Sequence, residues 1–387
     1  MKESFLPKPL LFKEWKEHRW WILSAFLLML YGPFSHLLTF VQQSRTGNSQ
    51  AFILWNFLAP IVYKLQYSPA ASGHPVSNAV ISGDVAVSYF APVVAMGLTI
   101  VLVSADRNKG SLWFTLSFPI TRSSLLRVKL LLSATIVLTA FLLNFLLLAI
   151  VDHASGNPIT FIALLEWLGK NLLISGVFMA TGLACAAVIQ AGLLTAFSAI
   201  LITAFPWALG LSVVRSVPVS IGLSMHPSTH PGHAVSHGHL TTAQHLSTIL
   251  RGLSPTSYFS PDVGFGGSFQ NDKLILSVSA GHSMNFAVVI WFLFLTALFA
   301  FIGFRAYLAA PGENYSRWIQ LEQIQPWYYF SLIGAGSFLI INAMTASNTH
   351  LSHTPYVLTL YWFILWAGFS LLAAWLQKYL QSRFSPS

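Results

Sequence analysis

Apolar runs of about 20 residues recur along the whole chain, and this constrains its fold more than any other feature. A run of that length matches the hydrocarbon thickness of a bilayer when wound as a helix. Eight such runs are found, at about 20–41, 85–103, 130–151, 172–189, 193–213, 286–304, 327–346 and 356–376. In lipid every backbone N–H and C=O must be satisfied within the spanning structure, which leaves helices as the economical solution for runs of this length. Only 8% of the 387 residues are charged and 55% are hydrophobic, against about 25% charged in soluble domains. The expected fold is an all-α integral membrane protein of about eight transmembrane helices.

The formal charge of +9 would suggest nucleic acid in a soluble protein. Here the cations sort by membrane side. With the N-terminus inside, the inner segments hold fourteen Lys and Arg and the much longer outer segments hold six. The positive-inside rule then puts both termini in the cytoplasm, and the surplus charge meets anionic headgroups rather than nucleic acid. The localisation expected is the cell membrane. Cys185, the sole cysteine, lies inside an apolar run and permits no intrachain disulfide.

Residues 1–19 are basic and lead into the first run. The run is too long for a signal peptide and no small-residue cleavage site follows it, so a retained anchor is expected. The segment LLFKEWKEHRWW puts Leu11, Phe12 and Trp15 on one side and Lys13, Lys16 and Glu17 on the other. That pattern predicts an amphipathic helix lying in the cytoplasmic interface. In the fourth run Gly176, Ala180 and Ala184 recur every four positions and let another backbone approach closely, which suits ordinary helix packing and an interface between chains alike. Pro92 and Pro206 are expected to kink the second and fifth spans. His36, Asn144 and Asn342 are the polar residues that stand out within spans; Asn often serves only to join helices. No carboxylate lies in mid-span, which disfavours a proton- or sodium-coupled carrier. No protease motif appears either.

The stretch 104–129, SADRNKGSLWFTLSFPITRSSLLRVK, interrupts the apolar pattern. Asp106, Arg107, Lys109, Arg122, Arg127 and Lys129 fall within 24 positions. Between them Leu112, Trp113 and Leu116 form an apolar stripe. Gly110 supplies a break before it, and Pro119 ends the helix beyond it. A basic loop that merely fixes orientation needs no such spacing.

This stretch resembles the first cytoplasmic loop of permease subunits of the type-2 exporter class of ATP-binding-cassette transporters. The residues that carry the likeness are Asp106, Gly110-Ser111-Leu112, Leu116-Ser117-Phe118-Pro119-Ile120-Thr121-Arg122 and Lys129. Asp106 stands where Glu is usual and Ser111 where Thr is usual. The resemblance implies an elbow helix over 1–19 and a six-span core over 20–308. Within that core lie a coupling loop at 104–129 and a large outer loop at 214–284. A further two-span hairpin occupies 309–387. It implies a permease that forms the substrate pathway of an ATP-driven exporter. Its partners would be a cytosolic ATPase chain, a second permease copy or paralogue, and membrane lipid. The residues of coupling would be Asp106, Arg107, Gly110, Leu112, Leu116, Pro119, Arg122 and Lys129. The chain has no Gly-x-x-x-x-Gly-Lys-[Ser/Thr] phosphate cradle, so ATP hydrolysis is expected on the separate chain, and no cofactor and no catalytic residue on this one.

The outer loop holds His226, His230, His233, His237, His239 and His245. Imidazole is the commonest metal ligand, but Pro, Gly and Ser dominate the stretch and no acid or Cys accompanies the histidines. They are candidate metal ligands only, and the simpler expectation is a solvated or pH-responsive loop. The alternative function they suggest is a non-transporting membrane sensor or scaffold.

Overall fold

The computed structural model describes residues 8–46, 53–54, 61–62, 90–108, 120–155, 161–189, 192–216, 249, 252–258, 264–270, 273–279 and 286–309, together with positions 333, 334, 336 and 368. Among these residues the chain forms six long helices: α1 (Lys8–Thr46), α2 (Phe90–Asn108), α3 (Arg122–Ser155), α4 (Phe161–Val188), α5 (Gly192–Ser216) and α6 (Phe286–Ala309). They take up the first six apolar runs in order. The runs at 327–346 and 356–376 lie outside the described residues, apart from the single positions above. Among the described residues three stretches are long and apolar enough to cross a membrane: Arg122–Ile150, Leu164–Val188 and Phe286–Ala309. Shorter apolar helical stretches occupy Phe90–Ala105 and Gly192–Pro206. The protein is therefore a multi-pass helical membrane protein.

Two details differ from expectation. Residues 8–46 form one helix, so the amphipathic segment expected to end at residue 19 runs directly into the first span. No Gly or Pro stands between Leu10 and Tyr31 to break it. At 1.5 Å per residue, α1 is about 58 Å long, well beyond the bilayer core of about 30 Å. The connections, secondly, are not wholly irregular. Ile53–Leu54 (β1) pairs antiparallel with Ile61–Val62 (β2), and Gly264–Gln270 (β3) with Lys273–Ser279 (β4). Pro92 falls in the first turn of α2, where a missing N–H costs little, whereas Pro206 lies inside α5.

The chain divides into two compact units. One comprises Met1–Ile200 and Pro255–Gln320. Its central helix is α4, which packs against α6, α2 and α3, while α1 packs against α3 and α2. Small residues set these contacts. A Cβ on Gly303 of α6 would lie 2.7 Å from Leu183 Cγ and 2.9 Å from Ala184 N. A Cβ on Gly182 would meet Met96 Cγ at 3.0 Å. The small-residue stripe of α4 thus serves packing within the chain. Larger side chains fill the space between α1, α2, α3 and α4: Met29, Ala95, Val137, Phe141 and Trp167 are buried together. Phe141 and Trp167 meet edge to face at 6.2 Å. The outward faces are apolar too. Leu138, Leu142, Leu146 and Ile150 of α3 and Ile290, Leu293, Phe294 and Phe301 of α6 are exposed, as lipid-facing residues must be.

The other unit comprises Leu201–Ser254 and Leu321–Ser387. Within it Ser254 Oγ donates to the Thr203 carbonyl at 2.9 Å, holding the chain against the middle of α5.

A candidate coupling site at the base of the first loop

α2 ends at Asn108 and α3 begins at Arg122, so the charged stretch is the connection between them. Its second root is built from the sequence Ile120-Thr121-Arg122-Ser123-Ser124. Thr121 is the N-cap of α3: its carbonyl accepts from Leu125 N at 3.1 Å, and its hydroxyl accepts from Ser124 N at 3.3 Å. The same hydroxyl bonds the Ser124 hydroxyl at 2.8 Å. A capping side chain satisfies an N–H that the helix leaves without a partner, which fixes where the loop ends. Ile120 packs beside it against Leu10, Leu125 and Val128, tying the cap to the first turn of α1.

Two turns into α3 stands Lys129. It is fully buried, and its Nζ donates to Glu14 Oε2 at 2.8 Å and to the Leu102 carbonyl at 2.6 Å. Glu14 is equally buried. His18 Nε2 lies 3.7 Å from the same carboxylate oxygen. One ammonium therefore binds three elements: α1 through Glu14, α2 through Leu102, and α3, on which it stands. An ammonium or carboxylate alone in this interior would carry a desolvation cost of several kcal/mol, which the pairing and the extra hydrogen bond offset. One turn further on, the Thr99 and Ser133 hydroxyls bond across α2 and α3 at 3.0 Å. Deeper still, Asn144 Nδ2 of α3 donates to the Met29 carbonyl of α1 at 2.9 Å. A polar seam thus runs along α3 from the loop into the bundle.

The expected coupling residues separate accordingly. Lys129 and Arg122 are on α3, the one buried and the other half-buried at its first position. Asp106 and Arg107 are in the last turn of α2. Gly110, Leu112, Leu116 and Pro119 lie outside the described residues, as do His226, His230, His233, His237 and His239 and, among the span residues, Asn342. His36 is on α1. The loop motif singles out Lys129 but not Glu14 or His18. Their spacing was the available signal. Leu10, Glu14, His18, Ile22, Ala25 and Met29 recur at three or four positions and form the buried stripe of α1. Leu11, Phe12 and Trp15, the expected apolar side, are exposed. The bundle-facing stripe carries Glu14 and His18, while Lys16, Glu17 and Arg19 are exposed and Lys13 is half-buried.

The arrangement joins both roots of one loop and the N-terminal helix through one buried ammonium. No curated protein and no solved structure matches the chain. Residues 12–310 match the family profile described as ABC-2 family transporter protein, a span that takes in α2 to α6, all but the first four residues of α1, and the Glu14–Lys129–Leu102 junction. A match over so much of the 387 residues shows the family, and the chain belongs to the ABC-2 transporter membrane proteins.

Proposed function

We propose that this membrane subunit couples to a separate cytosolic ATPase through residues 104–129 and forms, with a second copy or a paralogue, the pathway of an exporter in the cell membrane. Both termini lie in the cytoplasm on this view, as the distribution of Lys and Arg implies. The observation that supports it most is the Lys129–Glu14–Leu102 junction. A loop that receives a push from an ATPase must be rooted stiffly, and this one is rooted by a buried ion pair bridging α1, α2 and α3. The apolar stripe Leu112, Trp113 and Leu116 would seat in a groove on the ATPase, as amphipathic helices do. Arg107 and Arg122 would pair with acids at its rim. Closure of two ATPase chains on ATP would then rock the helices between inward- and outward-open states.

Co-purification tests this. A tagged full-length chain extracted from its own host membranes should retain an ATPase chain. Leu112→Asp/Leu116→Asp and Gly110→Pro should lose that ATPase while keeping the monodispersity and melting temperature of the parent. A chain that retains no ATPase, or variants that retain it unchanged, would sink the coupling assignment. The sensor or scaffold built on the His-rich stretch would then take its place.

A further inference from the structure

We infer that His18 makes the Glu14–Lys129 junction proton-sensitive: closed while the imidazole is neutral and loosened when it takes up a proton. The consequence for coupling rests on the function proposed above; the chemistry does not. His18 stands one turn beyond Glu14 on α1, and both side chains are buried. Its Nε2 lies 3.7 Å from Glu14 Oε2, the oxygen to which Lys129 Nζ donates at 2.8 Å. One carboxylate oxygen therefore faces an ammonium and an imidazole together. A ring nitrogen turned toward a carboxylate is favoured when it carries the hydrogen. The neutral ring thus holds its hydrogen at Nε2, and a second proton would enter at Nδ1.

Charge balance decides what that proton does. Lys129 and Glu14 are neutral as a pair, and a neutral imidazole leaves them so. Imidazole is the side chain whose charge ordinarily changes between about pH 5 and 8. A proton on His18 puts two cations on one carboxylate, in an interior where unbalanced charge is costly. Glu14, His18 and Lys129 are the buried ionisable side chains described on α1, α2 and α3. Lys13 and Glu17 of α1 pair with each other at 3.8 Å, both partly exposed. Lys16 and Arg19 of α1 and Arg127 of α3 are exposed, and Arg122 of α3 is half-buried. Asp106 and Arg107 stand in the last turn of α2.

Beyond His18 along α1 come Ile22 and Ala25, which pack with Leu98 and Leu102 of α2 and with Leu132 and Ile136 of α3. The imidazole lies where the charged layer gives way to an apolar one, a poor place for a third charge. The site can relieve that charge by dividing Glu14 between its two partners and admitting water. The Lys129 bond then lengthens, and α1 is freed from α3. The loop would drive three helices together at neutral pH and slip in acid. A ring kept neutral in the fold binds fewer protons than the unfolded chain, where histidine titrates near about pH 6.5. The stability it allows is therefore full above that pH and falls below it.

The test is thermal unfolding of the full-length chain in detergent, from about pH 8 to about pH 5.5 at fixed ionic strength. The parent is compared with His18→Gln and His18→Leu, both neutral throughout. The chain has 13 histidines, so the difference between parent and variant is what isolates His18. Over this range the parent should lose about 2–4 °C more than either variant, the size of one proton's linkage over one pH unit. A difference that stays constant with pH would mean that another acid, such as Asp106, answers the imidazolium, and would overturn the inference. A parent that gains on the variants in acid would mean that the proton tightens the junction, and would overturn it equally. A second measurement leaves His18 in place. With the native cysteine replaced by Cys185→Ala, nitroxides are attached through Phe12→Cys and Arg127→Cys, at exposed positions of α1 and α3. Their distance distribution should be narrow near about pH 8 and broad near about pH 5.5; an unchanged distribution would refute the loosening. Neither measurement involves an ATPase. A failed co-purification therefore leaves this result standing, and a flat pH profile leaves the coupling assignment standing.

Discussion

At the residue scale the chain depends on Lys129 and Glu14 in a way that neither residue's charge alone conveys. The pair is fully buried, so its net contribution over an apolar pair is small, but the cost of breaking it is not. Lys129→Met leaves the Glu14 carboxylate in the interior facing a thioether. It should destabilise the chain by about 3–5 kcal/mol, read as a large fall in the melting temperature of detergent-solubilised protein. Glu14→Gln/Lys129→Met removes both charges together and should recover most of that loss. A double variant no better than the single one would mean that the ammonium's bond to the Leu102 carbonyl, rather than its pairing with Glu14, carries the junction. The conservative Lys129→Arg should not substitute well. The planar guanidinium cannot converge on a carboxylate and a carbonyl as a compact ammonium does.

At the element scale, two glycines at the contacts of α4 make opposite predictions. Gly303 of α6 sits where an added Cβ would strike Leu183 and the backbone of Ala184, and backbone cannot yield as a flexible side chain can. Gly303→Ala should push α6 off α4 and cost about 1–3 kcal/mol. Gly176→Ala meets Thr296 only at ordinary van der Waals distance, 3.7 Å, and should be neutral or slightly stabilising, since Ala favours helix over Gly. Thermal unfolding of the two variants side by side checks both. The same contacts mark what sequence could and could not reveal. The apolar runs of α3, α4 and α6 were legible because immersion in lipid is a property of composition, readable one segment at a time. The stripe at Gly176, Ala180 and Ala184 announced a close approach to α4, but not that Gly303 would make it. The two-sided pattern of α1 was legible, with Phe12 and Trp15 exposed as lipid-facing side chains are, but not that Glu14 and His18 would be buried in the otherwise apolar stripe that turns to the bundle. Glu14 and Lys129 are 115 positions apart, so their pairing belongs to the tertiary fold and not to any local pattern. The β3–β4 ribbon escaped notice because its Gly-rich first strand looks like a loop until Leu274, Leu276 and Val278 are set against it.

At the scale of the whole molecule, the proposed coupling makes a prediction about how the helices at the junction move. α1, α2 and α3 are bound by the Lys129 ammonium near the loop, by the hydroxyl pair Thr99–Ser133 one turn on, and by Asn144 on the Met29 carbonyl farther along α3. Three polar ties spaced along one helix resist both shear and rotation, so on the proposed coupling these helices should move as one body when ATPase chains close. Phe12 of α1 and Arg127 of α3 are exposed on either side of the junction, which makes them sites for a pair of spin labels. Their separation should stay within about 2 Å, the scale of ordinary helix shifts, between nucleotide-free and vanadate-trapped complexes. The control is a label pair relating Phe12 to Phe294 of α6, which carries none of the three ties and is free to change. In Glu14→Gln/Lys129→Met, which stays folded if the residue-scale argument holds, the Phe12–Arg127 distribution should broaden and ATP hydrolysis should continue without moving the helices. A separation that changes by many ångströms in the unmodified chain would mean that α1 slides on α3 during the cycle. The ion pair would then be a latch that opens, not a permanent joint.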